Sequence, residues 1–394
     1  MYSLIRITEY SMPSTSQKSV LLALSRYNPG THMGVARFAS QHNWHLNCEM
    51  ALTGRLPEGW RGDGIIALLD EREDVANFVK RAQVPTVDLS VIRPDIRVPR
   101  VSGDHMAIGQ AAGELFAERG FQHFAWFSTH DDPASQARQN GFFRSVKSQA
   151  ITPESWVFPE RTRRKLDEWT VKSEWLIKRL RSIPKPAAVF SFHDGEAANI
   201  LDACMLGGIN VPEEVAILGV DNNPMICESV RVHLSSVNHD LDGLGYAGAT
   251  LLEKLMNGGK PPTKSILIPP HGITERRSTD ALAVTHKPVR SALEFMRGNY
   301  AKMIGPDDAA AAAGMPRAQL ENEFRKWFHH TMRHELARIR MQRAKELLLG
   351  TELPMADIAA RTGFNTAQYF NNVFRKENGL TPLNYRRERT QDAR

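Results

Sequence analysis

The sequence has few cysteines and no long apolar run. Its three cysteines, Cys48, Cys204 and Cys227, lie far apart in a chain of 394 residues, so it has neither a disulfide framework nor a Cys-x-x-Cys metal site. No apolar stretch reaches the ~18 to 20 residues that a membrane span requires, and residues 20–24 are too few for the core of a signal peptide. The sequence therefore predicts a cytoplasmic protein without a membrane partner.

Motifs of the common enzyme classes are also missing. The sequence contains no G-x-S-x-G elbow and no G-x-x-x-x-G-K-[ST] loop. His334 and Glu335 begin a zinc-type pattern, but position 338 is Arg instead of the second His. Residues 243–248 match G-x-G-x-x-G, yet no acidic residue follows in 263–268, where nucleotide binding would require one. We therefore expect no enzyme activity, no cofactor and no metal.

Positive charge is concentrated in the C-terminal part of the chain. Residues 301–394 carry 16 Lys and Arg against 11 Asp and Glu, whereas the first 300 residues are nearly balanced, at 34 against 33. A basic module attached to a neutral body predicts that a polyanion binds the module alone.

Two phrases within this basic region share one plan, in which an Ala-rich helix is followed by a turn at a glycine and by a second helix. The turns are at Gly314 and Gly363, and this is the plan of a helix-turn-helix unit. The helix predicted between them, residues 331–349, would be roughly 28 Å long, close to the ~34 Å that separates half-sites on B-DNA. One chain could therefore place two recognition helices in successive major grooves of double-stranded DNA.

Residues 290–390 resemble the DNA-binding domain of AraC-type transcription regulators. The resemblance rests on Gly363-Phe364, Tyr369-Phe370, Phe374, residues 379–382 and Tyr385-Arg386. It implies that bases are read from the first turns of the two recognition helices. The implied DNA-binding residues are Arg317, Ala318, Glu321, Asn322 and Arg325 in the first unit and Thr366, Ala367, Gln368, Asn371, Asn372 and Arg375 in the second.

The second unit is expected to carry more of the sequence reading. Asn and Gln side chains suit adenine edges, whereas Glu321 would accept only from a cytosine amino group and would repel phosphate. A plain helical bundle is the alternative, and the polar outer faces of both second helices argue against it.

Residues 18–280 alternate short apolar runs with amphipathic segments. Such alternation predicts parallel sheets with helices on both faces, and the length suits two sheets. The expected strands are 20–25, 44–52, 64–69, 84–89, 121–128, 187–192 and 215–220. The expected helices are 32–42, 74–81, 105–119, 135–147, 166–181, 196–206 and 241–256.

Polar residues follow most of the expected strands. Ligands of such sheets bind outside the carboxyl ends of the strands, and carboxylate, amide and guanidinium groups suit vicinal hydroxyls, which both donate and accept. The candidate ligand-binding residues are Asn28, Asp70, Asp104, Arg138, Asp194 and Asp221. For Asp104 and Asp194 the alternative role of a helix N-cap stays open.

The same region resembles the effector domains of lac-repressor-type regulators and sugar-binding periplasmic proteins. The resemblance rests on residues 104–109, 138–142, 211–222, 234–237 and 275–279. It implies a two-lobed domain in which Arg138, Asp194 and Asp221 hold a sugar. In our hypothesis the sugar bridges these residues to Asn28 and Asp104 on the other lobe, and closure of the hinge resets the DNA domains.

The whole arrangement is similar to that of the xylose-operon regulators, which implies D-xylose as the effector. We also expect a homodimer, with RNA polymerase as a further partner. The expected domains are a flexible arm at 1–17, the two-lobed effector domain at 18–280, a linker at 281–289 and the all-α DNA-binding domain at 290–390. Its two helix-turn-helix units are expected at about 307–328 and 355–377. The expected function is a sugar-gated transcription regulator, an activator by resemblance alone. An α/β enzyme acting on a sugar or nucleotide, or a purine-binding module, is the alternative.

Overall fold

The computed structural model describes residues 17–146, 152–158, 168–284, 286–328 and 330–391. The strands are β1 (Lys18–Leu24), β2 (Trp44–Asn47), β3 (Gly64–Leu68), β4 (Thr86–Asp88), β5 (Val101–Gly103), β6 (His123–Ser128), β7 (Glu154–Val157), β8 (Ala187–Ser191), β9 (Val215–Val220), β10 (Ser235–Val237), β11 (Ile266–Ile268) and β12 (Ile273–Thr274).

The helices of the α/β region are α1 (Pro29–Gln41), α2 (Glu49–Thr53), α3 (Glu73–Ala82), α4 (His105–Glu118), α5 (Pro133–Val146), α6 (Glu168–Ser182), α7 (Asp194–Gly207), α8 (Pro224–Cys227) and α9 (Leu241–Met256). Those of the C-terminal region are α10 (Lys287–Asn299), α11 (Pro306–Ala313), α12 (Arg317–Phe328), α13 (Met332–Gly350), α14 (Met355–Arg361), α15 (Ala367–Asn378) and α16 (Pro382–Gln391).

The chain divides into two units, and the first comprises the described residues up to Gly103 together with Leu241–Ile268. Its main sheet is parallel, in the order β2-β1-β3-β4, and β11 pairs with β5 beside it. The apolar run of β1 is buried on both faces, as expected for a parallel strand covered by helices on either side. This unit contributes the strand ends that precede Asn28 and Asp70.

The second unit begins at Asp104 and contains a six-stranded sheet in the order β12-β10-β9-β8-β6-β7. All pairs described are parallel except β10 with β12. Helices α4 and α5 pack with their backbones in close approach at Gly109. Any side chain at this position would collide with the carbonyl of Arg138, so only glycine allows the approach. Because β6, β8, β9 and β10 are parallel, their carboxyl ends lie at one edge of this unit, next to the start of α4.

The C-terminal region of the second unit is entirely helical in its described residues. Leu320 and Phe324 of α12 belong to one apolar core, and Phe370 and Phe374 of α15 belong to another. Helix α13 contributes residues to both cores, so it joins the two helix-turn-helix units. The turn glycine Gly363 has φ +75°, and a Cβ there would collide with the Tyr300 carbonyl.

The predicted fold class is confirmed: two largely parallel α/β sheets and a helical double helix-turn-helix domain. The strand predicted at 44–52 was too long, because β2 ends at Asn47 and residues 49–53 form α2. Sequence patterns missed β5, β7, β10, β11 and β12, which have two to four residues each, too few for a readable alternation.

Several predicted segments fall partly outside the described residues: most of the arm at 1–17, the end of the helix at 135–147 and the start of that at 166–181. In the predicted linker, Leu282 and Val284 pack against the apolar core of the first helix-turn-helix unit. None of the helices in the described part of the chain combines the length and apolar character that a membrane crossing requires.

Candidate functional site

The two candidate residues of the first unit take part in local turns. Asn28 is the N-cap of α1, and its Oδ1 accepts from the backbone N–H groups of Gly30 (2.9 Å) and Thr31 (3.3 Å). Asp70 Oδ1 accepts from the N–H of Arg72 (2.9 Å). One side-chain oxygen of each residue is therefore used by its own loop.

Asp104 is a helix cap, and the lobe to which we assigned it was wrong. Its Oδ1 accepts from the N–H of Ala107 (2.9 Å) at the start of α4. Because the second unit begins at Asp104, this residue shares a unit with Arg138, Asp194 and Asp221. It therefore cannot contact the sugar from the opposite lobe, as the hinge hypothesis requires.

Arg138 lies on α5 and is only 3% exposed. Its Nη1 donates to the carbonyl of Phe192, and its guanidinium lies over the Phe192 ring, 4.6 Å from the centroid. Its Nε donates to Nδ1 of His105 (3.2 Å), and its Nη2 lies 3.4 Å from Nδ1 of His239. These contacts fix a positive charge at the carboxyl ends of the strands.

Asp221 follows β9 and has the left-handed φ of +99°. Its Oδ1 lies 3.1 Å from Nδ1 of His239. Burial alone would raise the pKa of this carboxyl, but the hydrogen bond from His239 and the charge of Arg138 outweigh it and hold the pKa below its usual value. The site therefore combines an ionised carboxylate with a buried guanidinium, a pair that can both accept from and donate to hydroxyl groups.

Asp194 is almost fully buried, and both of its carboxylate oxygens accept hydrogen bonds from other groups of the protein. Its Oδ1 accepts from Ser236 Oγ (2.6 Å), and its Oδ2 accepts from the N–H of Asn223 (2.8 Å). Burial raises the pKa of this carboxyl to about 7. The N-cap of α7 is His193 and not Asp194, so the cap interpretation of Asp194 was wrong.

One group of three side chains in the described residues has the spacing to hold a metal ion, namely His130, His193 and Glu196, whose ligand atoms lie within 4.8 Å of one another. Glu196 Oε1 accepts from both N (2.7 Å) and Oγ1 (2.6 Å) of Thr129. Nδ1 of His193 accepts from the N–H of Glu196 (3.2 Å), which leaves its proton on Nε2 and prevents that nitrogen from coordinating a metal. We interpret the group as a hydrogen-bonded network beside the strand ends.

Sequence reasoning missed His105 and His239, which contact Arg138 and Asp221. His239 follows β10, a strand of three residues that gave no pattern. His105 follows Asp104, and only its position at the start of a predicted helix beside the candidate site could have indicated it.

The first recognition helix of the C-terminal region is α12. Arg317, Ala318, Asn322 and Arg325 are exposed on it, and Glu321 is half-buried. Arg325 Nε lies 3.5 Å from Glu321 Oε1, one turn away. The two opposite charges therefore offset each other on this face.

The second recognition helix, α15, begins after its N-cap Thr366, whose hydroxyl accepts from the N–H of Tyr369 (3.1 Å). Gln368, Asn372 and Arg375 are exposed, while Ala367 and Asn371 are half-buried. Phe370 and Phe374 hold the opposite face in the core. The polar face of α15 is therefore free of carboxylates in its first turns.

An ionic contact between half-buried side chains joins α4 to the helical region. Arg338 of α13 donates to Glu335 through Nε (2.9 Å) and Nη2 (2.7 Å), and its Nη1 pairs with Glu118 at the end of α4. The side chain of Glu335 is fully buried. Helix α4 thus begins at His105, beside Arg138, and ends at a contact with α13.

Comparisons with known proteins agree with both parts of the chain. Residues 114–279 match the family model of a periplasmic binding protein-like domain, and residues 309–388 match that of a helix-turn-helix domain. The xylose operon regulatory protein of Escherichia coli (strain K12) is 28% identical over 88% of this chain and 90% of its own length. That of Haemophilus influenzae is 29% identical over 82% and 84%. The solved structure of the xylose-binding transcription activator xylR has a TM-score of 0.60 at 26% identity, covering 94% of this chain and 98% of that chain.

Proposed function

We propose that this chain activates sugar-catabolism genes in response to D-xylose. It belongs to the transcription regulators that join a periplasmic-binding-protein-like sugar-binding domain to a C-terminal AraC-type DNA-binding domain, as the xylose operon regulatory proteins do. It is a DNA-binding regulator and not an enzyme. The choice of D-xylose is supported by the similar solved protein, which is a xylose-binding transcription activator.

The pairing of Asp221 with Arg138 carries the proposal for the effector site. We place the sugar against these two residues, with Asp194 holding the loop that carries Asp221. Asn28, Asp70 and Asp104 stay candidates for further contacts, through the atoms that their turns leave available. An ionised carboxylate and a fixed guanidinium recognise neutral polyols because each can hold two hydroxyl groups at once.

Helix α4 offers a route from the effector site to the DNA-binding region. Its first turn carries His105, which accepts from Arg138, and its last residue, Glu118, pairs with Arg338 of α13. The backbone N–H of Ala283 also donates to the carbonyl of Arg119 (2.9 Å), just beyond α4. We propose that the sugar favours one of two positions of α4 and thereby one arrangement of the recognition helices, because a ligand shifts an equilibrium only through differential contacts.

For the DNA side we propose that α12 and α15 enter successive major grooves and that α15 carries more of the sequence reading. We also propose domain limits of 18–280 and 290–390, a homodimer that binds repeated half-sites, and contact with RNA polymerase at the promoter. A regulator of this kind works beside the bacterial chromosome, in the cytoplasm.

Two measurements, a thermal-stability screen and DNA footprinting, each made with and without sugar, test the function. The purified protein is expected to gain thermal stability with D-xylose in a screen of monosaccharides, and its protected pattern on the promoter of neighbouring sugar-catabolism genes is expected to change with the same sugar. A thermal shift with a purine and with no monosaccharide would contradict the effector class. An identical footprint with and without the stabilising sugar would contradict the gating.

Two exposed side chains of α15 are expected to differ in their effects on DNA binding. Gln368→Ala should reduce discrimination at one base pair by about 1 to 3 kcal/mol, because a bidentate contact to a base edge is lost. Arg375→Ala should weaken all sequences alike and lower the salt slope by about one unit, because a phosphate contact is lost. Affinities for a set of single-base variants at two or more salt concentrations measure both quantities.

Each variant is the control for the other, since both residues are exposed on one helix. Equal losses on every DNA sequence from both variants would contradict the assignment of α15 to base reading.

A further inference from the structure

His239 has a buried ring nitrogen without a partner among the described residues. Its side chain is 7% exposed, and its Nε2 makes no hydrogen bond in the described part of the chain. A buried polar atom left unpaired destabilises the folded protein, because it has lost its hydrogen bonds to water. The described residues therefore leave this nitrogen available to a water molecule or to a polar group of a ligand.

The other ring nitrogen, Nδ1, is already engaged. Asp221 Oδ1 lies 3.1 Å away and Arg138 Nη2 lies 3.4 Å away. An ionised carboxylate only accepts and a guanidinium only donates, so Nδ1 can satisfy only one of them. The shorter contact favours a proton on Nδ1 that is donated to Asp221.

With the proton on Nδ1, neutral His239 presents a lone pair at Nε2. An imidazolium would present an N–H there instead, at the cost of a second positive charge beside Arg138. A hydroxyl group fits in either state, because it both donates and accepts. The two residues that flank the ring, Asp221 and Arg138, are those proposed to hold the sugar.

We propose that Nε2 of His239 binds one hydroxyl group of the sugar effector and so determines which sugars the regulator accepts. The inference rests on the proposed function and adds a residue to it. Asp221 and His239 form one unit: the carboxylate fixes the imidazole tautomer, and the imidazole recognises a specific hydroxyl position. The effector is then a pyranose or furanose with a free hydroxyl at that carbon.

Two substitutions separate this contact from the support of Asp221. In His239→Asn the side-chain amide can occupy the position of Nδ1 and still donate to Asp221, but no atom reaches the position of Nε2. In His239→Gln the amide can reach the position of Nε2, while the donor to Asp221 is lost. The pair therefore distinguishes sugar recognition from positioning of the carboxylate.

The test measures the affinities of the full-length wild type, His239→Asn and His239→Gln for D-xylose and its monodeoxy analogues by calorimetry. The wild type should bind the analogue that lacks the recognised hydroxyl about tenfold more weakly than D-xylose, the loss of one hydrogen bond. His239→Asn should bind D-xylose about tenfold more weakly and bind that one analogue no worse than D-xylose. It should still discriminate against the other analogues, and His239→Gln should keep part of the discrimination at that carbon.

A uniform loss of affinity for all analogues in His239→Asn would overturn the inference, because His239 would then act only through Asp221. Unchanged affinity for D-xylose in this variant would overturn it as well. A wild type that binds no monosaccharide would instead refute the proposed function, and the assignment of His239 with it.

Discussion

Replacing Asp221 by asparagine is expected to lower the affinity for the sugar by about 100-fold, because a carboxylate that holds two hydroxyl groups contributes about 1.5 to 3 kcal/mol through each hydrogen bond. Asparagine is the suitable replacement, since it tolerates a left-handed backbone as aspartate does, and φ at this position is +99°. Alanine would add backbone strain to the loss of the side chain. Isothermal titration with the sugar measures the change directly.

The substitution also tests the electrostatics of the site. Because the folded protein holds the pKa of Asp221 below its usual value, this carboxylate contributes stability above the unfolded pKa of about 4, and the contribution is lost as the pH falls through the lower, folded value. Asp221→Asn should therefore be less stable than the wild type at neutral pH, with a smaller difference in strong acid. Thermal unfolding at several pH values measures this difference.

Asp131→Asn is the matched control, because Asp131 also follows a strand of the same sheet but is exposed and contacts Gln136. It should leave both affinity and stability unchanged. If Asp221→Asn bound the sugar within threefold of the wild type, the sugar site would have to lie elsewhere.

The sequence predicted those residues of this site that can be recognised one at a time, from their residue type and their position after an apolar run. Asp221 was found because it follows an apolar run of six residues that forms a fully buried strand. His239 was not found, because its pairing with Asp221 joins residues from separate strand ends and no periodicity marks a three-residue strand. For Asn28 and Asp104, a position after a strand was not sufficient evidence of ligand binding. A polar residue between a strand and a helix can cap the helix whether or not it binds a ligand.

The helical region was easier to predict because most of its contacts are local. The apolar spacing of Phe370 and Phe374 and the turn at Gly363 define the second unit without any tertiary information. Arg338 was different: on sequence alone it was one of several basic residues of the helix between the two units. Its pairing with Glu118 connects residues 220 positions apart in the chain, and no local pattern predicts such a contact.

Arg338→Leu is expected to destabilise the protein by about 3 to 5 kcal/mol, because removing one partner of a buried ion pair leaves an uncompensated charge. The side chain of Glu335 is fully buried and accepts two hydrogen bonds from Arg338, and Glu118 loses its partner at the same time. Chemical denaturation, followed through the transition of the helical region, measures the loss.

The double variant Arg338→Leu with Glu335→Leu should recover the part of the loss that comes from the buried carboxylate of Glu335, and the loss that remains measures the unpaired Glu118 at the end of α4. Arg325→Leu is the matched control, because the Arg325–Glu321 pair has the same ion types within one helix, but the arginine is 58% exposed, and exposed pairs contribute about 0 to 1 kcal/mol. Equal losses from Arg338→Leu and Arg325→Leu would show that the contact between α4 and α13 is too weak to transmit a change at the effector site. A loss that the second substitution leaves partly unrestored would establish the contact of Arg338 with Glu118 as a firm attachment of α13 to the end of α4, which the proposed route from sugar to DNA requires.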